Sequence, residues 1–166
     1  MRKIVTATMI AAALTAAGTA GAVTTTTTFG VSATVLKTCS VAATPLAFGN
    51  YTPGAGALAA NSTVNVKCTK TTPFTVALNG GTTTGGNITQ RLMSNGTDTL
   101  QYNLYTTAAL ATLFGDGTTG VTMPGTGAGL ATAVAINVYG SLPDNATNQA
   151  VSTGSYTDTI NVTVTY

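Results

Sequence analysis

The chain has 166 residues, the length of one domain, with six lysines and arginines, four acidic residues and a formal net charge of +2. Histidine, glutamate and tryptophan are absent, which removes most acid–base and metal chemistry, so neither metal nor cofactor is expected. Threonine, glycine, alanine and asparagine dominate, and an apolar fraction built from small residues points to a shallow, sheet-built core.

The N-terminus reads as an export signal. Arg2 and Lys3 form a basic start, Ile4 to Ala17 an apolar run, and Ala20-Gly21-Ala22 an A-x-A cleavage site. The run is short of the roughly 20 residues that a membrane-spanning helix needs. Residues 1–22 are therefore expected to be removed, leaving Lys37, Lys67, Lys70 and Arg91 against Asp98, Asp116, Asp144 and Asp158. That balance is neutral and gives no reason to expect a nucleic-acid partner.

From Thr24 to Leu36 the sequence is TTTTTFGVSATVL, with Phe29, Val31, Ala33 and Val35 on alternate positions. This is the period of a strand with one buried face. No two-residue turn follows to fold it onto its successor. Residues 23–36 are thus read as a strand made for the sheet of another molecule, the alternative being an ordinary first strand of its own domain. Next come the only two cysteines, Cys39 and Cys68. In an oxidising compartment they are expected to pair, and without histidine a metal site would lack ligands.

Leu46 to Tyr51, LAFGNY, reads as a short strand stopped by Pro53-Gly54. Gly54 to Ala60 is read as a small-residue loop, since Gly54 to Ala59 fits G-x-G-x-x-A formally but opens no amphipathic helix. Ser62 to Thr69 alternates Val64, Val66 and Cys68 inward, and Phe74 to Leu78 does the same with Phe74, Val76 and Leu78. Asn79-Gly80-Gly81 then turns the chain into a polar loop. Arg91 to Met93 and Leu100 to Tyr105 are the next strands, Phe114 to Gly120 a turn, Gly125 to Gly129 a flexible connector, Ala131 to Tyr139 a strand and Pro143 to Asn148 a loop. The last run, Tyr156 to Tyr166, alternates Ile160, Val162, Val164 and Tyr166 against Thr159, Asn161, Thr163 and Thr165. Short alternating strands with glycine and proline punctuation and one disulfide predict an all-β, immunoglobulin-like sandwich. It would end on a core strand with nothing following to cover it. Asp158 falls on the apolar parity of that strand, so its carboxylate is expected at the sheet's mouth, accepting backbone or tyrosine hydrogen bonds. Tyr156 is a candidate tyrosine corner.

Phe48-Gly49-Asn50-Tyr51, Arg91-Leu92-Met93, Leu100 to Tyr105, Gly115-Asp116-Gly117, Val138-Tyr139-Gly140 and Gly154 to Asp158 through Tyr166 occur in this order. Together they resemble the spore coat protein U domain family, which includes subunits of archaic chaperone-usher pili. The resemblance implies a pilin domain over residues 37–166 whose sandwich lacks its last strand and is completed by donor-strand complementation, an established form of strand addition to a sheet. A periplasmic chaperone would fill the gap first. At an outer-membrane usher the extension of a neighbouring subunit, in a homo- or hetero-polymer, would replace it. On this basis Phe29, Val31, Ala33 and Val35 are the donor side chains, and Ile160, Val162, Val164 and Tyr166 line the acceptor groove. The implied product is a surface pilus supporting adhesion and biofilm formation. Two other readings stay open, a secreted sandwich that binds glycans or surfaces and a coat-type protein assembled without an usher. Catalysis is not expected, because no serine has a histidine to activate it and the four aspartates are scattered.

Overall fold

The computed structural model describes residues 21–166. The export signal expected over residues 1–22 lies outside the described residues except for Gly21 and Ala22. Contacts divide the chain between Thr34 and Val35. Residues 21–38 carry no regular secondary structure.

Eight strands follow: β1 (Cys39–Ala43), β2 (Leu58–Cys68), β3 (Pro73–Leu78), β4 (Arg91–Ser94), β5 (Thr99–Tyr105), β6 (Met123–Thr126), β7 (Val134–Leu142) and β8 (Val162–Thr165), with one helical turn, α1 (Ala146–Gln149), before the last. They form two antiparallel sheets, one in the order β1-β2-β7-β5-β4 and the other β6-β3-β8. The alternation read from the sequence sets which face each strand buries. Val64, Val66 and Cys68 of β2, Phe74, Val76 and Leu78 of β3, Tyr102 and Leu104 of β5, and Ile136 and Val138 of β7 meet with Phe114 in one core. Each large apolar side chain buried there stabilises the fold by about 1.5–3 kcal/mol.

Three stretches depart from the sequence expectation. Leu46 to Tyr51 is not a strand, because β1 leaves its ladder with β2 at Ala43 and no other edge receives the chain. Gly125 does not lie in a flexible connector: Met123–Thr126 pairs with β3, and Gly125 is seated against the Phe74 ring so closely that a Cβ there would lie 2.3 Å from it. The final run is extended in its alternating half-burial from Asp158 to Val164, yet only Val162–Thr165 is laddered as a strand. The reason is its partner, since β3 stops at Leu78 and turns away at Asn79 to Gly81. Boundaries also shift. Leu58 to Ala60 join β2 because they pair with Leu142 to Gly140, and β7 starts at Val134 rather than Ala131.

Cys39 and Cys68 are disulfide-bonded and face each other directly in the β1–β2 ladder. The bond therefore staples neighbouring strands of one sheet, unlike the inter-sheet bridge of antibody domains. β1 is otherwise weakly held, with every residue after Cys39 exposed. Replacing both cysteines by serine is expected to lower unfolding stability by about 3–4 kcal/mol for a closed loop of this length. Urea denaturation of the oxidised protein and the double variant measures it.

Candidate functional site

β8 lies at the edge of its sheet and pairs with β3 alone, from Leu78 opposite Val162 to Thr75 opposite Thr165. Its other edge has no partner among the described residues. Beside it opens a cleft of about 440 Å³ whose floor is core: Val64, Leu78, Tyr102, Leu104 and Val138. Ile160 and Val162 line it from the last strand run, and Leu46 and Phe48 from the segment after β1. Those two side chains rest on β7, where a Cβ at Gly140 would come within 2.9 Å of Phe48 and 3.0 Å of Leu46. Phe48 also meets the Tyr102 ring edge-on, at a centroid distance of 6.0 Å. The cleft thus has one wall in each sheet and lies where the sandwich is open. An unpaired strand edge beside an apolar cleft is a surface that favours strand addition.

The residues expected to line an acceptor groove are distributed along this strand. Ile160 and Val162 line the cleft, and Val164 is half-buried against the core without lining it. Tyr166 follows the end of β8 and is 53% exposed. The residues expected to act as donors, Phe29, Val31, Ala33 and Val35, are all exposed, the three larger ones at 86%, 85% and 84%. With Val23 and Leu36 they are the most exposed large apolar side chains among the described residues.

One end of the cleft is polar. Asp158, on its lining, accepts hydrogen bonds from the Tyr102 hydroxyl at 2.7 Å, the Thr82 and Thr83 amides at 2.9 and 3.0 Å, and the hydroxyls of both threonines. Burial pushes its carboxyl up, but the bonds from Tyr102, Thr82, Thr159 and Thr83 outweigh this and hold it below the usual carboxylate range. This is the mouth-of-sheet position read from the sequence. Gly81 permits it, since its backbone has φ +93° and a Cβ there would strike the carboxylate at 2.1 Å. Arg91 was not singled out by sequence reasoning for any role, yet its side chain is wholly buried. Its guanidinium donates to the Asn79 carbonyl at 2.7 and 3.0 Å and to the Phe114 carbonyl at 2.8 Å. Burial lowers its pKa, opposed by Tyr102 and Asp158. A buried arginine needs such acceptors, and the only signal in the sequence is an arginine opening an otherwise uncharged strand. The cluster fixes the loop after β3 to the start of the last strand run and offers no nucleophile paired with a base.

Residues 25–163 match the family described as Spore Coat Protein U domain. The chain belongs to this family. None of the curated proteins compared with it matches. Among solved structures, the Spore Coat Protein U domain chain is similar to a chain in the crystal structure of the CsuC–CsuE chaperone–tip adhesion subunit pre-assembly complex, from archaic chaperone-usher Csu pili of Acinetobacter baumannii. The identity is 24%, the TM-score 0.53, and the match covers 80% of this chain and 40% of that one. The likeness extends to the fold, which is the immunoglobulin-like β-sandwich expected from the sequence.

A second polar cluster in this Spore Coat Protein U domain holds the segment between β1 and β2. Asp144 accepts the Tyr51 hydroxyl at 2.5 Å and the Gly54 and Gly56 amides at 3.0 and 2.8 Å, while the Gln149 side chain donates at 3.2 Å. The Tyr51 bond, then the Gly54 amide, set the Asp144 carboxyl down at about 2 against an opposing effect of burial. Burial and the Asp144 carboxylate push the Tyr51 hydroxyl up to about 12. Because the folded pKa lies below the unfolded value of ~3.9, the stabilisation from Asp144 is complete above about pH 4 and is lost as pH falls through about 2. Melting temperatures between pH 5 and pH 2 should show this loss, and Asp144→Asn should flatten that part of the profile.

Two further residues act where sequence reasoning expected a loop and a corner. Asn148, fully buried in α1, takes the Gln101 amide at 2.8 Å and donates to the Gln101 and Pro143 carbonyls at 3.0 and 2.7 Å. It satisfies β5 where the ladder to β7, confined to Asn103–Tyr105, does not reach. Tyr156 donates its hydroxyl to the Ser152 carbonyl at 2.8 Å, the tyrosine-corner pattern of a bond back to upstream backbone.

Proposed function

We propose that this chain is a structural subunit of a surface pilus, exported to the periplasm and assembled by a chaperone-usher pathway through donor-strand exchange, with no catalytic role. The observation that carries this reading is the cleft beside the unpaired edge of β8, whose floor is the hydrophobic core. Membership of the Spore Coat Protein U domain family and likeness of fold to a chain of a chaperone–subunit complex support it. Residues 1–22 are the cleaved signal, 23–36 the donor extension and 37–166 the pilin domain. Phe29, Val31, Ala33 and Val35 of one subunit enter the cleft of the next and replace a periplasmic chaperone at an outer-membrane usher. Ile160, Val162, Val164 and Tyr166 form the receiving strand. The fibre so formed supports adhesion and biofilm formation.

Deleting residues 23–36 and expressing the remainder in the periplasm without a chaperone tests the reading against a free-standing binding module. An aggregating or degraded product, recovered as a soluble complex when a cognate chaperone is present, is expected. A stable monomer that binds glycans or surfaces unaided would overturn it.

A further inference from the structure

The few charges of this chain are sorted between the two ends of the sandwich. β2 runs from Leu58, opposite Leu142 of β7, to Cys68, and its 11 residues span about 34 Å. At the Cys68 end, Lys67 pairs with Ser40 and Lys70 lies in the turn that follows. Lys37 joins them because the carbonyl of the next residue, Thr38, accepts the Thr69 amide at 3.0 Å. All three lysines are exposed. The segments that meet here, residues 36–40, 67–73 and 127–133, contain no acidic side chain. Even with a carboxylate at Tyr166, beyond β8, this end keeps a surplus of positive charge.

At the Leu58 end the sign is reversed. Asp144 follows Leu142, and Asp98 closes the turn into β5. Residues 50–56, 95–98 and 143–156 contain no lysine or arginine. Bonds from Ser152 and from Tyr51 hold the Asp98 and Asp144 carboxyls below the usual carboxylate range, so both are charged at neutral pH. The remaining charges do not disturb this pattern. Arg91 is buried, Asp158 is occupied by internal donors, and Asp116 lies in the turn bonded to Leu78, at the end of β3 away from the lysines.

We propose that these ends are complementary faces: in the fibre, Lys37, Lys67 and Lys70 of one copy of this chain sit against Asp98 and Asp144 of the next. The inference rests on the pilus reading above and adds a contact outside the cleft. A second copy is the occupant because the extension leaves from the basic end. Val35 is two residues from Lys37, at most about 7 Å, so seating Val35 in a neighbour's cleft brings the lysines to one end of that cleft. The end marked by Asp158 is the nearer to the two carboxylates. Ser94, in the turn that Asp98 closes, bonds to Thr157 beside Asp158, and Asp144 anchors the far end of the segment that carries Leu46 and Phe48. The opposite end, past Val164, borders the neighbour's own lysines. Attraction at the first and repulsion at the second select a basic end on an acidic end. Such an interface joins unlike surfaces and repeats without closing, as a fibre requires. Exposed pairs of this kind add little affinity but raise the rate of productive encounter. They orient the incoming subunit before its extension enters the cleft.

Polymerisation of the full chain, purified as a monomer from the periplasm and followed by light scattering, is compared with capture of a synthetic peptide of residues 23–36. The peptide carries none of the three lysines, so it reports the cleft alone. Lys37→Glu, Lys67→Glu and Lys70→Glu together are expected to slow polymerisation about tenfold or more and to leave peptide capture unchanged. Asp98→Asn with Asp144→Asn, which keeps an acceptor at each position, should slow it about threefold or more. Raising sodium chloride from about 0.02 M to about 0.5 M should slow the unchanged chain and speed the triple variant, whose facing ends now repel. Equal rates for the triple variant and the unchanged chain, with the peptide captured by both, overturn the inference and leave the pilus reading standing. A peptide captured by neither overturns the pilus reading and the inference with it. Slowing in the triple variant that salt does not relieve reflects the substitutions themselves and overturns the charge contact. A full rate in the aspartate pair variant overturns Asp98 and Asp144 as the receiving face.

Discussion

Appending residues 24–36 behind Tyr166 through a short flexible linker is expected to raise the melting temperature by about 10 °C and to give a monomer that no longer polymerises. The physical basis is the cleft. Val64, Leu78, Tyr102, Leu104 and Val138 reach its floor, and because they are already buried the gain comes mainly from covering the exposed donor side chains themselves. Burying Phe29, Val31, Ala33 and Val35 against that floor is worth roughly 5–8 kcal/mol in transfer terms. Each backbone hydrogen bond to β8 adds about 0.5–1.5 kcal/mol net. Ordering the appended residues opposes these gains, and a rise of about 10 °C corresponds to a net stabilisation of a few kcal/mol, at about 2–4 °C for each in a domain of this size. The linker matters because it replaces encounter between molecules with an effective concentration in the millimolar range. Differential scanning calorimetry and sedimentation read the two outcomes. An unchanged melting temperature with undiminished polymerisation would mean that the cleft is not a strand-accepting site.

How far the sequence reveals this molecule depends on whether a segment's partner is encoded near it. Strands β2, β3 and β5 were legible because period-2 alternation fixes their buried faces locally, and the same residues, Val64, Val66, Phe74, Val76, Tyr102 and Leu104, form the core. Pairing is less local. Leu46 to Tyr51 has a strand's pattern but no neighbour to ladder with, so the pattern alone misled. Met123–Thr126 has the opposite problem: Pro124 and Gly125 read as a connector, and only the Phe74 ring, some fifty residues earlier, explains why a glycine is needed inside a strand. In the site, the parity of Asp158 among apolar neighbours was enough to place its carboxylate among hydrogen-bond donors. Arg91 and Asn148 were invisible, because what allows them to be buried is a set of backbone carbonyls and amides at Asn79, Phe114, Pro143 and Gln101, and backbone groups leave no mark in sequence.

Phe29→Asp and Val31→Asp, made together, are expected to abolish fibre formation while leaving capture of the subunit by its chaperone unchanged. The asymmetry follows from placing the two functions on different parts of the chain. On the proposed reading, chaperone capture uses the cleft and β8, which these substitutions do not touch, whereas polymerisation needs the extension to enter a neighbour's cleft. Each change removes about 1.5–3 kcal/mol of apolar burial and asks the floor of Val64, Leu78, Leu104 and Val138 to accept a carboxylate for which those residues provide no hydrogen-bond donor. Lost burial from the pair alone weakens association by about two to four orders of magnitude, and the unpaired charges weaken it further. The polar end of the cleft gives no relief, because Asp158 already takes up the Tyr102 hydroxyl and the Thr82 and Thr83 amides, and two carboxylates there would repel. Electron microscopy of cells carrying the variant, with co-purification of chaperone and subunit as the control, reads both halves. Fibres of normal length and number from the double variant would show that Phe29 and Val31 are not the side chains that enter the neighbour.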